Sequence, residues 1–263
     1  MSILTEIDDL QKRVLDALSN LPLRSDQLEA AIERALLERL DLSTIERLSS
    51  SELDRVIQDA LSEVTSDMSR QVRQSVADRT KAVTSATRDF YTAQGVAVPD
   101  DLIDAVRRTE SAQRLATFLE DGMQQIDRKL LDSTVETVQE AIAKDELSED
   151  VLRERIQNRA SASTANARTQ ARTSISSYNQ LYRSELADRA ELKHFLYYGN
   201  VQDNTRPFCR ARAGNVYTEE QIADMDNGQV GPVRLFTGGY NCRHSWVPVD
   251  PEWDDDLKDR LQT

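Results

Sequence analysis

The feature that most constrains the fold is the uneven distribution of glycine and proline. The first 194 residues hold only two of the eight glycines and two of the six prolines. Because both residue types interrupt helices, a stretch so poor in them favours long helices. The residues after 194 hold the other glycines and prolines and nine of the fourteen aromatic residues. We therefore predict a long-helix region followed, from residue 193, by a small turn-rich α+β module.

Composition supports this division and limits the classes of function. The chain is 39% hydrophobic, 30% charged and only 5% aromatic, and its mean hydropathy is -0.59. These values are typical of long helices with much exposed surface, so we expect a mainly α, elongated protein. The formal net charge of -13 argues against a surface that coats DNA or an anionic membrane, although it leaves local basic patches open.

Apolar residues recur at helical spacing through the first two predicted domains, residues 1–99 and 100–192. A narrow stripe near the N-terminus (Ile3, Ile7, Leu10, Val14) is flanked by charge and suggests an assembly surface. Elsewhere the stripes favour ordinary contacts between helices over a cofactor site. The predicted helices run from Ile3 to Pro22, from Ser25 to about Leu40, from a capping box at Ser51 and Asp54 to Gly95, and from Asp100 past Val138, with a restart at Ser148.

One helical segment departs from the acidity of the chain. Residues 157–184 contain no carboxylate but four arginines: Arg159, Arg168, Arg172 and Arg183. Small and polar residues fill the rest, which predicts a slim helix suited to a larger partner or to phosphates. The alternative is that these arginines pair with acidic helices of the same chain.

The third predicted domain, residues 193–263, carries an ordered series of short motifs. An aromatic strand (193–201) precedes an Asp-rich turn and a cysteine, and a Gly-x-x-Tyr turn precedes a Cys-Arg-His element and a Pro-containing strand. With the arginine helix before it, this series resembles the C-terminal domain of the phage Mu F-like minor head protein, or head-morphogenesis, family. The resemblance covers residues 171–249, and it is carried by Ala171, Arg172, Thr173, Tyr178, Asn179, Asp203, Thr205, Cys209, Gly214, Tyr217, Cys242, Arg243 and His244.

The resemblance implies a non-enzymatic role in head assembly. A protein of this kind is expected inside the capsid near the portal vertex, in several copies, after synthesis in the host cytoplasm. Its expected partners are the portal protein and other head proteins, with contact to packaged DNA and delivery alongside it. No membrane partner is expected, because no apolar run approaches the length of a membrane span.

The cysteines and His244 raise the question of a metal. Cys209, Cys242 and His244 are soft ligands suited to zinc, with Asp203 or His194 as a candidate fourth ligand. Family members often carry a Cys-x-x-Cys pair and a final cysteine, whereas this chain has one cysteine at residue 209 and a histidine at residue 244. A metal-free core cluster and a disulfide therefore stay open as alternatives. Both the zinc site and the metal-free core cluster require Cys209, Cys242 and His244 to lie close together.

Catalytic motifs are missing from the sequence. It has no H-E-x-x-H, Walker or G-x-S-x-G motif and no zinc deaminase signature, so no enzyme is predicted. Thr205 and Gly214 are expected to shape turns, and Arg243 to hold Asp203 or backbone carbonyls by several bonds. The alternative function is a zinc-stabilised nucleic-acid-binding module, which depends on the arginine segment.

Overall fold

A computed structural model describes residues 2–19, 21, 25–39, 47–146 and 148–262. The predicted helix ends at Pro22 and Leu40 lie outside these residues. The described chain is mainly α, with a small antiparallel sheet near its C-terminus. Its long elements are α1 (Ile3–Ser19), α2 (Ser25–Arg39), α3 (Ser50–Ala93), α4 (Leu102–Arg108), α5 (Glu110–Ala143) and α6 (Glu149–Arg189). Its C-terminal elements are β1 (His194–Tyr198), α7 (Pro207–Arg212), β2 (Val216–Thr218), α8 (Glu219–Ala223), α9 (Val233–Phe236), β3 (Ser245–Val249), a 3-10 turn (Pro251–Trp253) and α10 (Asp255–Lys258).

The fold class predicted from the sequence, mainly α with a small α+β module, is confirmed. The chain divides into two compact units that are not consecutive segments. Unit 1 comprises residues 1–21, 76–118 and 172–263, and unit 2 comprises residues 22–75 and 119–171. This differs from the predicted boundaries near residues 99 and 192, because α3, α5 and α6 each contribute residues to both units.

Local chemistry explains where the helices begin and end. Ser49 and Glu52 form the capping box that starts α3: the Ser49 amide donates to the Glu52 carboxylate at 2.9 Å and the Glu52 amide to Ser49 Oγ at 3.4 Å. The predicted box at Ser51 and Asp54 was therefore two residues late. Gly95 follows the end of α3 with φ +76°, as a helix-terminating glycine should.

The predicted single helix from Asp100 to Val138 is two helices. It breaks at Thr109, whose backbone is extended. The Thr109 hydroxyl then accepts a hydrogen bond from the Ala112 amide at 3.1 Å, so it caps the start of α5. Residues 107–114 contain no large apolar residue, and the step of nine residues from Val106 to Leu115 is half a turn out of phase with one helix. The gap in the stripe therefore marks the break, which the predicted single helix overlooked.

Unit 2 has a core of its own. The core is formed by apolar residues of α2, α3, α5 and α6, and Ile32, Leu36 and Ile57 are among its fully buried members. Their spacing along each helix is the three-and-four pattern read from the sequence. The interpretation of these stripes as helix–helix core is therefore confirmed for unit 2.

The slim helix predicted around the arginine segment is buried for much of its length. Small side chains such as Ala167, Ala171 and Ser177 lie almost wholly inside the protein. Because such residues present little bulk, neighbouring elements can approach α6 closely along more than one side. The absence of a broad apolar face thus reflects burial within this chain.

The sheet of unit 1 has the order β2-β1-β3, and both pairings are antiparallel. In the register of β1 with β3, Tyr197 is opposite Trp246. Both side chains are fully buried, and their ring centroids are 4.4 Å apart. The Trp246 indole N–H donates to the Val233 carbonyl at 3.1 Å, which ties α9 to the sheet.

Helix α1 packs within unit 1, contrary to the expected assembly surface. Its stripe is buried, with Ile7 fully enclosed. Gln11 links the helix to β3: its amide donates to the Arg243 carbonyl at 2.7 Å and accepts from the Ser245 hydroxyl at 2.9 Å. The narrow stripe is thus covered by the chain itself. None of the described helices combines the length and apolarity needed to cross a bilayer.

Candidate metal centre

Cys209 is placed by a turn and a short helix. In the turn, the Gln202 amide donates to the Thr205 hydroxyl at 2.7 Å. Pro207 then occupies the first turn of α7, where its missing N–H costs nothing. Cys209 is the third residue of this helix and is buried. Thr205 thus lies in the turn and bonds across it.

Gly214 returns the chain from α7 to the sheet. Its φ of +87° lies in the region that favours glycine, and its amide donates to the Tyr197 carbonyl at 2.8 Å. Glycine is therefore the residue that this turn favours.

Cys242 and His244 are placed by the segment between α9 and β3. Arg206 fixes this segment by donating to the Gly238 carbonyl at 2.9 Å and to the Tyr240 carbonyl at 2.7 Å. His244 comes directly before β3 and is buried. The two cysteine-bearing segments are therefore fastened to each other by one guanidinium.

Cys209, Cys242 and His244 converge, as the sequence predicted. One potential ligand atom from each lies within 4.8 Å of the other two. The two Sγ atoms are 3.8 Å apart, and Cys242 Sγ is 3.9 Å from His244 Nδ1. The three residues thus lie close enough to bind one metal ion.

Two of these separations are close to the edges of a zinc tetrahedron. With Zn–S near 2.3 Å and Zn–N near 2.0–2.1 Å, the S–S edge is about 3.8 Å and the S–N edge about 3.6 Å. The measured Sγ–Sγ distance of 3.8 Å fits the first edge, and the Sγ–Nδ1 distance of 3.9 Å exceeds the second by about 0.3 Å. A disulfide needs about 2.05 Å, and both cysteines are unbridged.

Glycine makes the cluster sterically feasible at two positions. A Cβ on Gly238 would lie 2.2 Å from Cys209 Sγ and 3.0 Å from Cys242 Sγ. A Cβ on Gly199 would lie 2.6 Å from His244 Cδ2. Such separations are far below van der Waals contact. Any side chain at Gly238 or Gly199 would therefore clash with the cluster.

Tyr197 supplies the nearest polar support. Its hydroxyl donates to Cys209 Sγ at 3.3 Å and lies 3.8 Å from Cys242 Sγ, and its ring stacks on His244 with centroids 5.4 Å apart. The His244 amide also donates to Cys242 Sγ at 3.4 Å. Hydrogen bonds of this kind stabilise negative charge on sulfur and hold metal ligands in place.

The pKa values of the two thiols shift in opposite directions. The pKa of Cys242 is lowered, first by the hydrogen bond with the Cys209 thiol and then by those from His244 and Thr237. The pKa of Cys209 is raised, first by the same contact with Cys242 and then by burial. The lowered pKa of Cys242 favours its thiolate, the form that binds metals.

Other site residues predicted from the sequence lie elsewhere. The metal-ligating group found among the described residues contains neither Asp203 nor His194, and Asp203 is exposed in its turn. Arg243 is also exposed, and it contributes its backbone carbonyl, as acceptor from Gln11. The role of holding carbonyls belongs to Arg206, which the sequence reasoning missed although Arg206-Pro207 directly precedes the cysteine helix.

The four arginines of α6 do not form one exposed surface. Arg183 is fully buried, and its Nη1 donates to the Trp246 carbonyl at 3.3 Å, so its predicted contact with a partner or DNA is wrong. Arg172 is half-buried and donates to the Leu18 carbonyl at 3.1 Å. Arg168 is half-buried and has partners within the chain. Of the four, only Arg159 is exposed.

Comparisons of the chain with protein-family models, with curated proteins and with solved structures give no match.

Proposed function

We propose that this protein is a phage minor head protein that acts as a structural component in head assembly, and that zinc fastens its C-terminal module. The observation that carries the proposal is the convergence of Cys209, Cys242 and His244 within 4.8 Å. These residues belong to the motif series that resembles the Mu F-like family. Cys209 lies more than thirty residues before Cys242 and His244 along the chain, yet the three residues form one cluster, in which Cys209 and His244 are buried and Cys242 is half-buried.

The turns of the motif series also support the proposal. Each part of the cluster is positioned by one of these turns, at Thr205, at Gly214 or at Gly238. The series is therefore consistent with one structural unit. The proposed location is the capsid interior near the portal vertex, with the portal protein and other head proteins as partners. The nucleic-acid-binding alternative loses much of its support, because Arg183 is buried and Arg172 bonds within the chain.

Zinc would add a second link between two segments that Arg206 already joins. Metal ligation adds free energy of folding. Cys209 would hold α7, and Cys242 with His244 would hold the entry to β3. The two thiolates would offset the double positive charge of the ion, and a neutral imidazole would be the third ligand.

The metal part of the proposal is tested by measuring zinc in the purified full chain by elemental mass spectrometry. We expect about one zinc per chain, lost in His244→Ala and kept in His194→Ala, which alters the only other histidine. Chelation should unfold the module, seen as a change in tryptophan fluorescence. Zinc-free protein that is unaffected by metal or chelator would refute this part.

The assembly part is tested separately, by native mass spectrometry of the protein with a candidate portal protein. We expect a defined complex with the portal ring, and the protein should also be detected in purified virions. Absence from virions together with no portal complex would contradict the proposal whatever the zinc content.

A further inference from the structure

A cavity of about 270 Å³ adjoins the cluster in unit 1. Cys209, Cys242 and His244 all line it. The Tyr197 hydroxyl and Gly238, by contrast, contact the sulfurs but are not part of its lining. A metal held by the three residues would therefore have close-packed protein on one side and open space on another.

The protein offers this metal three ligands. Among the described residues, the group of His, Cys, Asp and Glu side chains within reach contains no fourth member. Structural zinc sites are almost always closed by four protein ligands, whereas sites with three keep an open position for water or another ligand. The number of ligands and the adjoining cavity point to the same open position.

The chemistry of the lining indicates what could enter. Its described residues include two arginines, Arg206 and Arg243, and no carboxylate, although the chain has 46 acidic residues against 33 basic ones. Four side-chain amides add further hydrogen-bond donors: Asn200, Gln202, Asn204 and Asn241.

An arrangement of guanidinium groups and amides around an open metal position favours an oxyanion. Guanidinium groups match the geometry of phosphate and carboxylate oxygens. The two thiolates already offset the charge of a divalent ion, so the arginines would supply the remaining attraction for an anion. Arg206 is held rigidly by its two carbonyl contacts, whereas Arg243 is exposed at the cavity.

We infer that the metal proposed for this site keeps its fourth coordination position open to the cavity, and that an oxyanion such as inorganic phosphate occupies it. The inference depends on the proposed metal site but not on the proposed role in head assembly. It assigns the cavity as a ligand site.

The test uses the full chain loaded with Co²⁺ in place of zinc. Sulfur-to-cobalt charge-transfer absorption first reports whether the metal is bound by the cysteines. Inorganic phosphate is then titrated while the visible d–d bands of the cobalt are followed, with acetate in a parallel titration. We expect a saturable change in these bands with phosphate, because a new ligand alters the field around the ion.

Matched variants separate local recognition from general charge effects. Arg243→Gln should weaken phosphate binding about two- to fivefold, as expected for the loss of one exposed charge, and should leave cobalt uptake unchanged. Arg159→Gln removes the same charge outside the cavity lining and should have no effect.

The outcomes distinguish this inference from the metal proposal. Cobalt bound by the cysteines with spectra that neither phosphate nor acetate changes would overturn the open position and leave the metal site standing. Failure to bind cobalt at all would overturn both. A saturable change with either anion supports the inference, and the stronger one identifies the preferred oxyanion.

Discussion

Replacing Gly238 by alanine should disrupt the metal centre without altering any ligand. The added Cβ would lie 2.2 Å from Cys209 Sγ, whereas favourable contacts begin near 3.5 Å. One of the two groups must therefore move by about 1.3 Å. Cys209 is buried and cannot swing into solvent, and the Gly238 carbonyl is held by Arg206.

The size of the effect follows from this displacement. Metal–ligand distances tolerate only about 0.2 Å, so a shift several times larger should abolish stable binding. Overpacking a buried site costs about 1–3 kcal/mol, in addition to the stabilisation lost with the metal. We therefore expect substoichiometric zinc and a lower urea midpoint for Gly238→Ala.

Gly231→Ala is the matched control. A Cβ on Gly231 would have no neighbour within 4 Å among the described residues, and the φ of Gly231 is not in the left-handed region. It should keep its zinc and its unfolding midpoint. Elemental analysis and urea unfolding followed by tryptophan fluorescence measure both quantities. Gly238→Ala with full zinc and an unchanged midpoint would refute the steric argument.

Two further predictions concern buried polar groups of unit 1. Arg183 is fully buried, and its Nε and Nη2 have no hydrogen-bond partner among the described residues, so Arg183→Met should leave stability unchanged or raise it by about 1–4 kcal/mol. Arg183→Ala should lower the free energy of unfolding by about 2–5 kcal/mol by leaving a cavity. Urea unfolding measures the stability of both variants. A large loss for the Met variant would show that the charge stabilises the fold. Burial raises the pKa of the Tyr91 hydroxyl above the ordinary tyrosine value of about 10, so the unfolded chain loses this proton first. The contribution to stability is therefore complete below about pH 10 and is lost as the pH rises above it. Tyr91→Phe should reduce that fall, and should cost about 1–3 kcal/mol at neutral pH because the Pro248 carbonyl loses its 2.8 Å hydrogen bond; equal slopes above pH 10 in both proteins would contradict the reasoning.

The sequence predicted features that depend on neighbours along the chain. The scarcity of Gly and Pro indicated long helices, and apolar spacing identified buried positions such as Ile7 and Ile57. Turn chemistry identified the roles of Thr205 and Gly214. These are local signals, since capping, positive φ and helical periodicity act over a few residues.

What covers each surface was decided only by the tertiary structure. The stripe of α1 looked like an assembly surface because this helix has partners that are distant in sequence, such as the Arg243 carbonyl, which accepts from Gln11 and lies more than two hundred residues away. Arg183 looked exposed because charge is usually solvated, yet the packing of α6 in unit 1 buries it. Neither outcome is encoded in the local pattern of these residues.

The metal centre shows the same division. The types and order of Cys209, Cys242 and His244 suggested a cluster before any fold was known. The fold decides which other groups surround the cluster, because two segments that are distant in sequence have to meet there. These groups are Tyr197, Gly238 and the carbonyl contacts of Arg206. The sequence determines which residue types are available as ligands. Only the folded chain sets the distances between them, and these distances determine how many ligands lie within reach and whether a cavity adjoins them.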